Sequence, residues 1–450
     1  MSTLVTQIEE QGNHSLTSRQ IFEITAVREI QLSRLLVIYI STGLVFMLLP
    51  GTFLGVWNLL AISSHRAADS VSAAWIQAHG HAQIFGWIGT FILGIGFHSI
   101  PKLRHTKMFG LWAPWTCWVL WTSGVTLHWW ALVSLWHWRF LLPFSSGLEL
   151  TAFLIFFRAV SGHHPTDSGK SKPEWVFAVI AGALGFLFSL TMNLGASVLL
   201  AVRGFSPELP HLFDQHLLVL QTWGFLVPTV WGFSAKWLRI FLGLRPVRGS
   251  VLLWAVVLNS LGVLAAPISI QATVCLLLAG LLTATYSLRL LEPPERPAKV
   301  NGVHPSFPIF ARLAYLWAAA AAVLGIWAAF LGDARGVWGA SRHALTVGFL
   351  STMVFAIGQR VLPAFSGMRL LFSTKLMFLA LLLLTAGCLL RVSSEVLSYQ
   401  GLAQSAWSWL TVSAITEMSA VSLFALNLFA TFVKRPLSAP IVQESPVRIS

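Results

Sequence analysis

The sequence predicts an all-α membrane protein that crosses the bilayer many times. Three observations predict this class: 56% of the 450 residues are hydrophobic and only 10% are charged, and the apolar residues gather in runs of about 20, enough to cross a bilayer as a helix. An ordinary soluble domain carries roughly a quarter charged residues. The composition therefore excludes a soluble globular protein and a disordered chain.

Twelve apolar runs predict twelve transmembrane helices, which together form a membrane domain over residues 35–432. In chain order the predicted spans are Leu35–Ile62, Trp75–Pro101, Leu111–Val133, Arg139–Val160, Trp175–Leu200, Leu212–Phe241, Val251–Ala266, Ile268–Leu290, Phe307–Leu331, His343–Pro363, Thr374–Val396 and Trp407–Phe432. Residues 1–34 are expected to form a cytoplasmic N-terminal segment, and residues 433–450 a cytoplasmic tail. Because residues 1–33 lack the layout of a signal peptide, we expect the first span to stay as an anchor.

The basic residues predict the orientation of these spans. Of the 29 Lys and Arg residues, 23 fall on the side that holds both termini and 6 on the other. Because Lys and Arg favour the cytoplasmic side, both termini are expected in the cytoplasm, as in a multi-pass protein of a cytoplasmic (inner) membrane. The net charge of +13 is thus explained by the basic residues that orient the spans in the membrane. We expect contact with membrane lipid and none with nucleic acid, since no basic stripe is present.

Histidines cluster on three of the predicted helices. Helix 2 carries His79 and His81, helix 6 carries His216, and helix 10 carries His343. All three helices are even-numbered, so each runs from outside to inside and places its histidines in the outer half. Ionisable residues inside a membrane span are rare and usually functional.

Helices 2 and 10 also resemble each other along their length. A shift of 262 residues places His81 on His343 and Gly86 on Gly348. A repeat with a spacing of four helices predicts three four-helix units, related by an axis along the membrane normal. Three equivalent helices would then bring their histidines near one centre.

Metal or haem ligation is the chemistry that such a histidine cluster favours, because neutral imidazole binds iron and copper. His79 and His81 are two residues apart, so on a regular helix their side chains point about 160° away from each other and are expected to serve different sites. Arg342 and Arg391 lie at the same depth, where their guanidinium groups would hold haem propionates.

Other ionisable residues lie inside or at the ends of the spans. Glu149 and Glu417 fall inside helices 4 and 12, and Asp214 lies near the start of helix 6. These carboxylates are expected either to pair with neighbouring hydroxyls and amides or to carry protons. His98 and His128 lie near helix ends and are expected to be solvated or interfacial.

The histidine motifs resemble those of a known family. His79-Gly-His81-Ala-Gln83-Ile-Phe85-Gly86 in helix 2, and the stretch of helix 10 that begins at His343, resemble the NnrS family. That family consists of bacterial twelve-helix membrane proteins that bind haem and copper and are linked to nitric oxide metabolism. More widely, residues 35–432 resemble subunit I of haem-copper oxidases and nitric oxide reductases, in which twelve spans form three arcs.

This resemblance implies a site. In the superfamily a helix 2 histidine and a helix 10 histidine are the axial ligands of a low-spin haem near the outer face. The family pattern H-x-x-x-M-x-F favours His79 as the helix 2 ligand, whereas the internal repeat favours His81; we retain both and favour His79 with His343. His216 resembles a copper ligand, with the remaining helix 2 histidine as its partner. Haem b is the expected cofactor and copper a further candidate.

The departures from the superfamily bear on function. Ser341 stands where oxidases carry a second helix 10 histidine, and Val251–Ala266 contains no histidine, so the usual binuclear centre is not built. We therefore expect a haem protein of nitric oxide response or respiratory electron transfer, which meets nitric oxide or another diatomic gas and a respiratory electron donor. Three alternatives stay open: a catalytic subunit like a nitric oxide reductase or oxidase, hence an oxidoreductase; a proton-coupled secondary transporter that uses its histidines and Glu149 or Glu417; and a non-catalytic membrane scaffold within a respiratory assembly.

Overall fold

The computed structural model describes residues 18–104, 109–161, 173–331, 335–367 and 369–434, and these residues form helices and no β-strand. The longer helices are α1 (residues 18–65), α2 (73–104), α3 (Trp112–Ser134), α4 (Trp138–Ser161), α5 (Glu174–Arg203), α6 (His211–Leu242), α7 (Gly249–Ala265), α8 (Ile270–Ser287), α9 (Phe307–Phe330), α10 (335–365), α11 (Thr374–Tyr399) and α12 (Ala406–Val433). A short 3-10 turn, Ala68–Ser70, lies between α1 and α2.

The all-helical membrane fold is confirmed. Among the described residues, ten helices are long and apolar enough to cross a membrane. The other two long helices are α7, which is apolar but shorter, and α3, which is rich in tryptophan, so twelve crossings stay a prediction. Helix α1 runs without a break from Ser18, so the predicted boundary after residue 34 does not interrupt the helix. Residues 1–17 and 435–450 of the predicted terminal segments lie outside the described residues.

Helices that follow each other in the chain form the most extensive contacts, above all α3 with α4, α7 with α8, and α11 with α12. These three pairs recur every four helices. Large aromatic side chains such as Trp121, Phe186 and Phe355 are completely buried between the helices. The arrangement agrees with the four-helix periodicity in the sequence, whereas three equivalent units remain a prediction.

Four helices contain a wider, π-helical stretch. These stretches are Met47–Phe53 in α1, Ala82–Gly89 in α2, Leu220–Leu226 in α6 and Ala344–Ser351 in α10, and α6 contains a second, shorter one at Ser234–Leu238. The four longer stretches each have a glycine at the fifth position: Gly51, Gly86, Gly224 and Gly348. The 262-residue shift of the sequence repeat places the stretch in α2 directly on the one in α10. π-Helical stretches are rare in proteins as a whole, but those that occur often lie at functional sites. We therefore expect a site among α1, α2, α6 and α10.

Candidate functional site

The two histidines of α2 face different neighbours. His79 Nδ1 lies 2.9 Å from the Gly51 carbonyl oxygen of α1, whereas His81 Nε2 lies 2.9 Å from Glu149 Oε1 of α4. This divergence is the one that the two-residue spacing predicts for a regular helix. The structure therefore contains two separate histidine centres, one on each side of α2.

The first centre contains His79 and His343. His343 repeats the arrangement of His79, since its Nδ1 lies 2.9 Å from the Gly339 carbonyl oxygen. In both residues the Nδ1–H donates to a backbone carbonyl, which leaves Nε2 as the unprotonated nitrogen. Histidines that ligate a metal almost always donate their second N–H in this way. Helices α2 and α10 are neighbours, since the Trp87 ring of α2 lies 6.4 Å from the Phe355 ring of α10, and the His79 ring lies within electrostatic range of His343.

Charged residues surround His343. Glu395 Oε2 of α11 lies 3.1 Å from His343 Nδ1 and 3.5 Å from Arg391 Nε. Arg391 Nη2 lies 3.4 Å from His343 Nε2, and its Nη1 is buried with no hydrogen-bond partner among the described residues. Arg391 thus has a donor available for an anionic group, while Glu395 balances its charge.

Two further charged residues complete this first centre. Arg342 precedes His343 on α10 and lies within electrostatic range of Asp214 on α6 and of Glu395. Glu417 of α12 lies within electrostatic range of His343 and Arg391, and its Oε1 is buried without a partner in the described part of the chain. The Asp214 carboxylate therefore lies within electrostatic range of a cation, Arg342.

Glycines give the imidazole of His79 its space. A Cβ atom on Gly55 of α1 would lie 2.5 Å from His79 Cε1 and 2.7 Å from His79 Nδ1. The same holds beside His343, where a Cβ atom on Gly339 would lie close to the Glu395 carboxylate. Because real Cβ atoms do not approach so closely, both positions require glycine for the present side-chain placement.

The second centre is built by His81, His128 and Glu149. The rings of His81 and His128 stack with a centroid distance of 3.8 Å and an interplanar angle of 3°. One nitrogen of each ring and one Glu149 oxygen all lie within 4.8 Å of one another. All three side chains are buried, so the expectation that His128 is solvated or interfacial is wrong. His98 is buried as well, at 3% exposure, and lies 3.5 Å from Glu29.

Sequence reasoning missed His128 and Glu395, although each had a signal. His128 continues a stripe of small and buried positions on α3 with Trp121 and Gly124, at helical spacing. Glu395 follows Arg391 by four residues on α11, the spacing at which opposite charges meet on a helix. His216 is half-buried and does not belong to the group formed by His81, His128 and Glu149. Copper ligation by His216 therefore stays a prediction.

Ser341 lies at a small cavity between α6, α8, α9 and α10. The cavity has a volume of about 30 Å³ and is lined mainly by apolar side chains, including Val219, Trp223 and Leu277. Ser341 donates its hydroxyl hydrogen to the Ala321 carbonyl over 2.7 Å. Among the described residues, no His, Cys, Asp or Glu side chain lines this cavity. The cavity beside Ser341 therefore offers no side chain of the kinds that usually bind a metal ion.

Known proteins that resemble this chain in sequence or structure indicate its fold. A family model described as a domain of unknown function (DUF8744) matches residues 211–433. No curated protein matches the sequence. A cryo-EM structure of a heme-copper terminal oxidase dimer is similar to this chain with a TM-score of 0.58 and 11% identity, over 90% of this chain and 85% of that chain. The protein is thus a multi-pass helical membrane protein with the fold of a heme-copper oxidase.

Proposed function

We propose that this protein binds a haem b between His79 and His343 and acts in nitric oxide response or respiratory electron transfer. The observation that carries the proposal is the shared hydrogen bonding of the two imidazoles, whose Nδ1–H groups donate to the carbonyls of Gly51 and Gly339. Both Nε2 atoms are then unprotonated and would hold the iron, with His343 Nε2 giving up its 3.4 Å contact with Arg391 Nη2. When bound, haem supplies a one-electron iron couple whose potential the axial ligands and nearby charges tune.

The surroundings of the two histidines fit this group. Haem propionates are anionic, and the buried Nη1 of Arg391 has no hydrogen-bond partner among the described residues. Arg342 supplies a second guanidinium at the same level. Glu395 approaches His343 at Nδ1 and Arg391 at Nε, so its charge lies next to both residues. The chain's own role is therefore to orient two imidazoles, neutralise two carboxylates and exclude water.

The absence of oxidase ligands favours electron transfer or gas response over oxygen reduction. The cavity beside Ser341 has room for about one water and no metal-binding side chain in its lining. The resemblance of the helix 2 and helix 10 motifs to the NnrS family supports the nitric oxide branch of the proposal. We further propose twelve crossings in a bacterial cytoplasmic membrane with both termini in the cytoplasm, because of the 23-to-6 distribution of basic residues.

The test is optical spectroscopy of the detergent-purified protein, with iron and copper analysis. We expect a Soret band and sharp dithionite-reduced bands that nitric oxide leaves unchanged, as for iron with two histidine ligands. The band should disappear in His79→Asn and His343→Asn and persist in His98→Asn, a buried histidine at the other end of α2. A Soret band that shifts with nitric oxide would instead show an open iron site.

A protein without any haem would refute the proposal and favour the transporter. Two buried carboxylates favour that second candidate, since Glu149 Oε2 and Glu417 Oε1 have no hydrogen-bond partner in the described residues. Proton uptake coupled to a solute in proteoliposomes, lost in Glu417→Gln, would then be the expected result.

A further inference from the structure

The second histidine centre lies apart from the haem-binding pair and has no role in the function proposed above. His81 comes from α2, His128 from α3 and Glu149 from α4, so three helices converge on one point. The side chains of His81 and Glu149 are only 6% and 0% exposed. Their potential ligand atoms all lie within 4.8 Å of one another, close enough for small side-chain movements to bring them around one metal ion.

Hydrogen bonds behind His128 select the form of its ring. Ser145 donates its hydroxyl hydrogen to the Leu142 carbonyl over 2.9 Å, so the serine oxygen is an acceptor toward His128 Nδ1, 3.3 Å away. A proton on Nδ1 leaves the lone pair of Nε2 free. Second-shell bonds of this kind orient histidine ligands in metal sites.

Polar residues also fix the wall behind Ser145. Asn193 Nδ2 of α5 donates to Ser146 Oγ over 3.2 Å, and Ser146 Oγ lies 3.0 Å from Ser197 Oγ. On the opposite side, a Cβ atom on Gly124 would lie 2.7 Å from Glu149 Cγ. Gly124 thus leaves room for the Glu149 side chain, and the hydrogen-bonded network on α4 and α5 lies against His128, whose Nδ1 is 3.5 Å from Ser146 Oγ.

The charge of this centre is incomplete. Glu149 is fully buried, and its Oε2 has no hydrogen-bond partner among the described residues. Two stacked imidazoles cannot both carry a positive charge at a ring distance of 3.8 Å, so at most one of them balances the carboxylate. A buried, half-satisfied carboxylate is costly unless a cation or a further donor completes it.

We propose that His81, His128 and Glu149 form a mononuclear site for a divalent first-row transition-metal ion. Two imidazoles and one carboxylate are a donor set that suits Zn²⁺, Fe²⁺ and Co²⁺ and leaves a coordination position open. His81 Nε2 lies 2.9 Å from Glu149 Oε1 and donates to it, so metal binding releases this proton to solvent and requires a small rotation of the stacked rings. The ion would supply the positive charge that Glu149 lacks.

The experiment measures cobalt binding to the full-length protein in detergent. The holoprotein is treated with a chelator, equilibrated with Co²⁺ and desalted, and bound cobalt is counted by mass spectrometry. X-ray absorption at the cobalt edge then reports the ligands. We expect one cobalt ion per chain with nitrogen and oxygen ligands. Binding should fall at least about tenfold in Glu149→Gln and His128→Asn.

His98→Asn is the matched control, because His98 is also a buried histidine beside a carboxylate, Glu29, but no second imidazole among the described residues is in contact with it. It should bind cobalt like the wild type. If either ligand variant fails to fold, the stoichiometry and edge spectrum of the wild-type protein decide the matter. No stoichiometric cobalt, oxygen-only ligation, or full binding in both ligand variants would overturn the proposal and leave a hydrogen-bonded trio. The Soret band reports the haem proposal separately.

Discussion

Replacing Gly55 by alanine tests whether the placement of His79 matters for haem binding. The added Cβ would lie 2.5 Å from His79 Cε1, whereas non-bonded carbon atoms prefer about 3.5–4.0 Å. The imidazole must therefore move by about 1 Å. It starts from a hydrogen bond of 2.9 Å to the Gly51 carbonyl, and such a shift carries the bond beyond the usual limit.

The size of the effect follows from that lost bond. A buried hydrogen-bonding group left without its partner costs about 1–3 kcal/mol. Loss of a second-shell partner typically lowers metal affinity about 10–100-fold, which is a similar free energy. Glycine-to-alanine replacement inside a helix is itself favourable by about 0.5–1 kcal/mol, so weaker haem binding could not be blamed on a poorer helix.

The assay is the rate of haem transfer from the purified protein to an excess of apomyoglobin, together with the haem-to-protein ratio. We expect transfer to be about 10–100 times faster in Gly55→Ala than in the wild type. Gly80→Ala is the matched control, because Gly80 is next to His79 on α2 and a Cβ atom there meets nothing within 4 Å. Equal transfer rates and spectra for the two variants would refute the assignment of His79 as a ligand.

Three further predictions concern charge, pH and packing. Glu395→Gln removes a carboxylate 3.1 Å from His343 Nδ1, so the haem midpoint potential should rise by about 50 mV in a spectroelectrochemical titration; no rise would show that Glu395 does not act on the iron. Glu292 lies in the loop after α8. Partial burial raises the pKa of its carboxyl, but the hydrogen bond from Arg289 and the charges of Arg289 and Arg248 outweigh this effect and lower the pKa. Wild type should therefore be more heat-stable than Glu292→Gln at neutral pH, and this difference should vanish as the pH falls through that lowered pKa; a difference that persists in acid would contradict it. Gly185→Ala places a Cβ atom 2.1 Å from the Gly224 carbonyl oxygen of α6 and should cost about 1–3 kcal/mol, seen as a lower melting temperature than that of Gly195→Ala, whose added Cβ meets nothing.

Much of the fold could be predicted from the sequence, and less of the site. The long helices of the structure lie close to the predicted spans, because a bilayer demands about 20 apolar residues for each crossing. The opposite directions of His79 and His81 also followed, since both precede the π-helical stretch that starts at Ala82. Helix α1, by contrast, extends far beyond its apolar run, because a helix can continue into polar sequence once the apolar part is anchored.

The partners of each histidine did not follow from the sequence. His81 meets Glu149 and His128 instead of a residue of α6, and His343 meets Glu395. Helical periodicity fixes the direction of a side chain relative to its own helix. The rotation of that helix against its neighbours depends on all the contacts along its length.

The sequence by itself determined the class of this protein and the approximate limits of its helices. These properties are local, since they depend on hydropathy and on residue spacing within one helix. Only the tertiary structure decided that α2 separates two centres, with a pair of imidazoles toward α10 and a trio of ligands toward α3 and α4. The placement of the two centres depends on contacts between several helices, because glycines such as Gly55 and Gly124 set how closely neighbouring helices and their side chains approach.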